Sequence, residues 1–177
     1  METSDVAALS AQQVKGFGSD QIIALTTDQA GALTTGQIKS LTSDQIAALE
    51  TADLARLGTG QLAALSATQI RSLSTAQVAA LSTDQIQGLG AKQVAALTSE
   101  QVNLGLSTAQ IQALTSSQVK ALSTAQVAAL STAQIAAMET ADLAALSAQQ
   151  IKGFGSDQIA ALTTDQAGAL TTGQIKS

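Results

Sequence analysis

The sequence predicts an all-α solenoid of very short capped helices, one for each eight-residue repeat. The first observation is the period, since a large apolar residue returns every eight residues from Met1 to Leu97 and again from Leu106 to Leu170. Between these runs lies one nine-residue repeat, residues 97–105, so 22 repeats and one extra residue fill all 177 positions. A fixed short period over a whole chain is typical of repeat proteins whose units stack on their neighbours. We therefore expect residues 1–177 to form one solenoid.

The second observation is the consensus within each repeat, whose positions we number as columns one to eight from the large apolar residue. Residues 122–129, Leu-Ser-Thr-Ala-Gln-Val-Ala-Ala, show it best. Column two is Ser or Thr in 15 repeats, and column five is Gln in 19 and Asp in 3. One continuous helix does not fit, because eight residues turn through roughly 800° and would rotate each apolar column by about 80° per repeat. On a straight strand, columns one and six would point to opposite faces.

The spacing of Ser or Thr and Gln predicts that a new helix begins in every repeat. In a capping box the hydroxyl of the N-cap residue accepts from the third helical amide, and the Gln side chain accepts from the amide of the N-cap residue. Ser123 and Gln126 are one such pair. Val127 and Leu130, three residues apart, should share the buried face. We expect helices of roughly six or seven residues, two to a coil, which are stable only when stacked.

Several features of the pattern leave alternatives open. A β-solenoid with two repeats per coil is the other architecture that the period allows. The repeat at 97–105 either absorbs a bulge or marks a bend. Phe17 and Phe154 occupy column one between glycines, and we expect these glycines to make room for the larger rings. Glycines in column two are expected to cap helices and to supply the backbone freedom that ends the preceding helix.

The composition excludes several classes of function. The chain has no His, Cys, Pro, Trp or Tyr, so the usual zinc, copper, haem and iron–sulfur ligand sets and the imidazole-dependent triads are missing. We predict no cofactor and no metal site. Acids and hydroxyls recur as columns and do not form one convergent set, so we predict that the chain is not an enzyme. A net charge of −5 disfavours nucleic acid, and no apolar run is long enough to predict a membrane span.

The element L-[ST]-x-x-Q-[IV], as in residues 81–86, resembles the octad arrays of large bacterial surface or secreted repeat proteins of adhesin-like or haem-utilisation-like type. The resemblance covers the whole chain and implies an extracellular or cell-surface stalk. The same element is similar to the opening helix of the DNA-reading repeats of plant pathogens. Those repeats are far longer and carry a second helix and a base-reading loop that this chain lacks, so this likeness does not imply DNA binding.

These observations lead to two hypotheses about function. The first is a structural segment that acts as a rod, stalk or spacer in a bacterial surface or secreted protein. Because the first and last repeats keep the interior pattern, we also expect copies of the chain to associate end to end. The second hypothesis is a binding surface for ice, ordered water or polysaccharide, built from regular columns of Thr, Ala and Gln.

Overall fold

The protein is a stack of short helices, one in each repeat. A computed structural model describes residues 1–176, and every regular element within them is helical: 21 α-helices and one π-helix, π1. The prediction of an all-α solenoid is confirmed, and the β-solenoid alternative is wrong. The elements in chain order are α1 Thr3–Ala8, α2 Ala11–Lys15, α3 Ser19–Ile23, α4 Thr27–Gly31, α5 Thr35–Ser40, α6 Ser43–Ala48, α7 Thr51–Arg56, α8 Thr59–Ala63, α9 Ala67–Ser72, α10 Thr75–Ala79, α11 Thr83–Gly88, α12 Ala91–Val94, π1 Gln101–Gly105, α13 Thr108–Gln112, α14 Ser116–Ala121, α15 Thr124–Ala129, α16 Thr132–Ala137, α17 Thr140–Ala145, α18 Ala148–Ile151, α19 Ser156–Ala160, α20 Thr164–Ala169 and α21 Thr172–Ile175.

Each helix is bounded by its own repeat. Before α15, Ser123 has extended backbone angles, φ −71° and ψ 159°, and after it Leu130 leaves the helical region at φ −58° and ψ 135°. The chain therefore turns at columns one and two of every repeat. Regular helices in the described residues contain four to six residues, slightly fewer than the six or seven expected, because column one is needed for the turn.

Helices pack on the helix three places further along the chain. The pairs α3 with α6, α6 with α9 and α4 with α7 illustrate the rule. The hydrogen bonds that glutamine side chains make between coils join residues 28 to 32 positions apart, for example Gln37 to Leu9 and to Val6 at separations of 28 and 31. Each coil therefore takes between three and four repeats, and the expectation of two helices per coil is wrong. Helices of this length are too short to cover the core from only two sides.

The core consists of columns one and six. Val127 in column six is 0% exposed and Leu130 in column one is 3% exposed. The same two columns are buried from Leu33 through Leu146. This apolar column, continuous from coil to coil, supplies the stability that isolated helices of this length do not have.

The nine-residue repeat is absorbed locally by a helix of wider turn. In π1 the amide of Leu106 donates to the carbonyl of Gln101 at 3.1 Å, a bond between residues five apart. Asn103 and Leu104 bulge outward, and the Leu104 side chain is 67% exposed. Inter-coil bonds on both sides of π1 keep the same pattern, so the extra residue is accommodated as a local bulge without interrupting the stack.

Some glycines allow close packing between coils, and the glycines of the described residues do not adopt unusual backbone angles. Within residues 1–176 no glycine has a positive φ, so the expectation that column-two glycines supply special backbone freedom is wrong. A Cβ atom on Gly88 would lie 2.8 Å from Cβ of Thr59, and one on Gly153 would lie 2.6 Å from Cγ2 of Thr124. At these two places column eight of one coil approaches column three of the preceding coil so closely that a side chain would push the coils apart, whereas most other repeats carry Ala in column eight.

Candidate functional site: the glutamine ladder

Ser123 and Gln126 form a complete capping box at the start of α15. The Ser123 hydroxyl accepts from the Gln126 amide at 3.1 Å, and the Ser123 amide donates to Gln126 Oε1 at 2.7 Å. Both bonds satisfy backbone donors that a helix start would otherwise leave without partners. The structure therefore places these two residues in the geometry that their spacing suggested.

The same glutamine also binds the preceding coil. Gln126 Nε2 donates to the carbonyls of Val94 at 3.0 Å and Leu97 at 2.7 Å. The side chain is only 2% exposed, so these bonds form away from water, where an unpaired amide or carbonyl is costly. One side chain thus closes its own helix start and fastens that helix to the coil before it.

Val127 and Leu130 supply the matching acceptors for the next coil. Gln158 Nε2 donates to the Val127 carbonyl at 3.1 Å and to the Leu130 carbonyl at 2.6 Å. The four predicted repeat residues, Ser123, Gln126, Val127 and Leu130, therefore make one unit with a donor side and an acceptor side. The Val127 and Leu130 side chains contribute to the core, and their backbone carbonyls accept from Gln158.

This arrangement repeats along the chain, and we call it the glutamine ladder. A rung is a column-five glutamine whose Nε2 donates to backbone carbonyls of residues 28 to 32 positions earlier. The acceptor carbonyls belong to columns six, seven and one. The rungs are Gln29, Gln37, Gln45, Gln61, Gln69, Gln77, Gln85, Gln93, Gln101, Gln110, Gln118, Gln126, Gln134, Gln150, Gln158, Gln166 and Gln174. The ladder runs past π1: the separation rises from 28 to 29 only for bonds that span the extra residue.

Two buried aspartates interrupt the ladder. Asp53 is 1% exposed and Asp142 is 4% exposed, and both stand in column five. Asp53 Oδ2 accepts from the amide of Glu50 at 3.3 Å, and Asp142 Oδ1 accepts from the Ser116 hydroxyl at 2.6 Å. A carboxylate has no hydrogen to donate when ionised. The rung to the preceding coil is therefore missing at these two positions.

Phe17 and Phe154 belong to the wall of the solenoid and not to a separate pocket. Both rings are partly buried and pack against the core cluster. The Phe17 carbonyl accepts from Gln45 Nε2 at 2.8 Å, as other column-one carbonyls along the ladder do. On one side of Phe154, the glycine at 153 leaves space for Thr124 of the preceding coil.

Each of three open grooves on the surface of the described residues is lined by at most two titratable side chains. One groove, about 550 Å³ and open to solvent, is lined by Asn103, Thr132, Gly153 and Asp157 among others. Asp157 is the one titratable side chain in that groove. Residues 1–176 contain no group of three or more His, Cys, Asp or Glu side chains close enough to hold a metal ion. None of the helices they form is both long enough and apolar enough to cross a membrane.

From the sequence, the Gln column has two structural interpretations, a capping box and an internal ladder of amides. The structure shows the capping box, and it shows a ladder in which each glutamine binds backbone carbonyls of the preceding coil. Gln61 and Gln93, which follow column-two glycines, still accept from the amide of the N-cap glycine, and the same side chains reach the preceding coil. Sequence reasoning did not identify backbone carbonyls of another coil as the partners of these glutamines.

The fold and the ladder define a class: an all-α repeat protein in which one short helix and one glutamine rung form the unit. The chain belongs to the ALTTAQ-repeat family, whose model matches residues 1–35, 31–59, 46–83, 54–91, 79–103, 105–132 and 135–172. Residues 24–29, Ala-Leu-Thr-Thr-Asp-Gln, differ from the six letters of the family description at one position. The six letters correspond to column eight of one repeat and columns one to five of the next. They therefore span the boundary between two helices and end at the rung glutamine. A search of curated proteins found no match to the chain.

Proposed function

We propose that this segment is a structural rod, stalk or spacer of a bacterial surface or secreted protein. The observation that carries the proposal is the glutamine ladder, which joins successive coils by the same bonds along the chain. A catalytic or ligand-binding site requires unlike groups that converge at one place, whereas here the buried polar groups are engaged in stacking. The extracellular or cell-surface location rests on the resemblance to octad arrays of bacterial surface proteins.

A rod also follows from how such a stack grows. Each added coil contacts only its neighbours, so length increases while the cross-section stays constant. Layers of packed helices lie about 8–10 Å apart. Adding four repeats, a little more than one coil, should therefore lengthen the molecule by roughly 10 Å.

The test is small-angle X-ray scattering of the parent and of a lengthened chain in which residues 106–137 are duplicated in tandem. We expect the maximum dimension to increase by roughly 10 Å with an unchanged cross-sectional radius of gyration. A larger cross-section would contradict the rod. Staining of intact cells with an antibody against this segment tests the surface location, and no staining of cells that express the protein would contradict it.

The alternative function, a surface for ice, ordered water or polysaccharide, finds one supporting observation and one opposing observation. Column-three threonines such as Thr51 and Thr59 are exposed. However, Thr59 lies against Gly88 and Thr124 lies against Gly153 of the next coil. At these two sites, therefore, the threonines do not form a continuous row along the solenoid axis. Thermal hysteresis or glycan retention that disappears on Thr-to-Lys changes in column three would favour this alternative over the rod.

A further inference from the structure

The π-helix places an exposed leucine beside a groove. Leu104 is 67% exposed on the bulge of π1, and its neighbour Asn103 lines the open groove of about 550 Å³. One exposed leucine is common on a protein surface. Here, however, the leucine protrudes where the chain accommodates its extra residue, next to a concave surface. The bulge is therefore an apolar projection at the edge of a groove.

The groove crosses three successive coils. It is lined by Asn103, by residues 128–132, and by Gly153 with residues 155–158, most of which have small side chains. A Cβ atom on Gly155 would meet nothing within 4 Å, so this wall is open. Residues 82–84, which stand in the same columns as residues 155–157, are also exposed in the middle of the stack. The groove is thus a lateral feature of the solenoid, and it has room for an apolar side chain.

The projection and most of the groove lie in a band of the solenoid that has almost no charge. Of the 8 basic and 13 acidic residues in the chain, only Lys120 lies within residues 101–138. This stretch is longer than one coil, so the band extends around the solenoid. Copies of a chain with a net charge of −5 repel each other. The repulsion is weakest where the two uncharged bands face each other.

The polar groups of this patch are complementary as well. The Asn103 and Asp157 side chains have no hydrogen-bond or ion-pair partner within residues 1–176. An amide offers two donor hydrogens, and a carboxylate offers only acceptors. When Leu104 of one copy enters the groove of another, Asn103 beside it approaches the wall that contains Asp157. One patch therefore carries a projection, a groove, a donor and an acceptor.

We propose that two copies of the chain bind side by side about a two-fold axis, each inserting Leu104 into the groove of the other. Because the projection and the groove belong to the same patch, a two-fold contact uses both of them twice and is closed. The expected product is a dimer and not a filament. The inference rests on π1 and the groove, and it does not depend on the rod function.

The test is sedimentation velocity of the parent and of two variants from low micromolar to near-millimolar concentration. Leu104→Ser removes the projection, and Ala128→Lys places a long charged side chain in the groove. Lysine already occupies the same column at Lys120, so the fold should tolerate it. The matched controls are Ile23→Ser, at a side chain that is 48% exposed, and Ala79→Lys, at an exposed position of the same column outside the groove. Circular dichroism of each variant verifies folding.

We expect the parent and both controls to show a monomer–dimer equilibrium, and each variant to raise the dissociation constant by roughly tenfold or more. An equimolar mixture of the two variants should dimerise more tightly than either alone, because the mixed dimer keeps one intact projection in one intact groove. A parent that is monomeric throughout would overturn the proposal. So would variants that dimerise as well as the parent, or a parent that forms a series of larger oligomers.

The two proposals fail separately. Leu104→Ser leaves the glutamine ladder unchanged, so small-angle scattering of this variant reports the shape of the single chain without the dimer. An elongated single chain together with a monomeric parent would overturn the dimer and leave the rod. A dimer of chains that are not elongated would overturn the rod and leave the dimer.

Discussion

At the residue scale, the glutamine of column five is used completely. Its amide has one acceptor oxygen and two donor hydrogens. In Gln126 the oxygen accepts from the Ser123 amide, and Nε2 donates to Val94 and Leu97. Asn is one methylene shorter, and Glu offers no donor when ionised. Gln is therefore the side chain that can both cap its helix and reach the preceding coil.

Removal of the capping hydroxyl should destabilise the protein modestly. We expect Ser123→Ala to lower the free energy of unfolding by about 0.5–2 kcal/mol, the usual range for loss of an N-cap. The effect should be coupled to that of Gln126→Ala, because the two side chains complete one box. A double-mutant cycle from urea unfolding measures the coupling, and strictly additive effects would contradict the capping box.

Removal of an internal rung should cost more than removal of a cap. Gln126→Ala eliminates the cap acceptor and leaves the buried Leu97 carbonyl without its glutamine donor, at about 1–3 kcal/mol for an unsatisfied group. The Val94 carbonyl also loses its glutamine bond but keeps the bond from the Leu97 amide at 3.2 Å. Gln13→Ala is the matched control, since Gln13 caps Ser10 but makes no rung. We expect urea unfolding to show a clearly larger loss for Gln126→Ala. Equal losses would mean that the rungs contribute nothing to stability.

Completion of an interrupted rung should stabilise the solenoid. At Asp53 the ladder spacing places the carbonyls of Ile22 and Leu25 opposite a side chain that cannot donate. We expect Asp53→Gln to raise the free energy of unfolding by about 0.5–1.5 kcal/mol for each bond formed. Asp53→Asn is the control, because it removes the charge but is too short to make the rung. If Asn stabilises as much as Gln in thermal unfolding, the gain comes from the charge and not from the rung.

At the element scale, every helix is too short to persist by itself. Helices of four to six residues lie well below the length that is stable in water. They form here because both ends are specified, by the cap at column two and the turn at column one, and because columns one and six are buried. The π-helix shows that an element can change its winding while both boundaries remain in place.

Deletion of Leu104 should therefore be tolerated. It removes an exposed side chain and turns residues 97–105 into an ordinary repeat of eight, with a glycine in column eight as in residues 81–88. We expect an unchanged or higher melting temperature. Deletion of Ala129 is the control, since it shortens a regular repeat to seven and shifts the rungs that span it. A melting temperature that falls equally in both deletions would show that π1 is required for the fold.

At the scale of the whole molecule, stability comes from contacts between neighbouring coils. Charge contributes little, because the single ion pair in the described residues, Arg56 with Asp28 at 3.5 Å, is exposed. The core is instead a stack of similar layers, each covered by the next. Stability in such a system is approximately a sum of units and interfaces.

The lengthened chain with residues 106–137 duplicated should accordingly be more stable and should unfold with a larger denaturant dependence. The m-value increases with the surface exposed on unfolding, and the duplication adds buried columns and four rungs. Urea unfolding followed by circular dichroism measures both quantities. An unchanged m-value and midpoint would show that the added coil does not unfold cooperatively with the rest.

Much of the architecture could be predicted because it is local. The period, the capping boxes at residues such as Ser123, and the apolar columns of Val127 and Leu130 all lie within one repeat, and hydrogen bonding and burial act there over three or four residues. The coil size could not be predicted in this way. The number of repeats per coil depends on how short helices pack around a core. No feature of the sequence indicates that residues 28 positions apart are in contact.

The sequence by itself determined that each repeat makes one capped helix and buries columns one and six, since these consequences follow from side chains close together in the chain. Only the tertiary structure decided that three to four repeats close a coil, that Gln126 reaches Val94 and Leu97, and that the extra residue at 97–105 becomes a bulge. The physical reason is that the glutamine side-chain oxygen can accept from the N-cap amide of its own helix in any arrangement of helices. Its two remaining hydrogens find buried partners only when another coil lies against it.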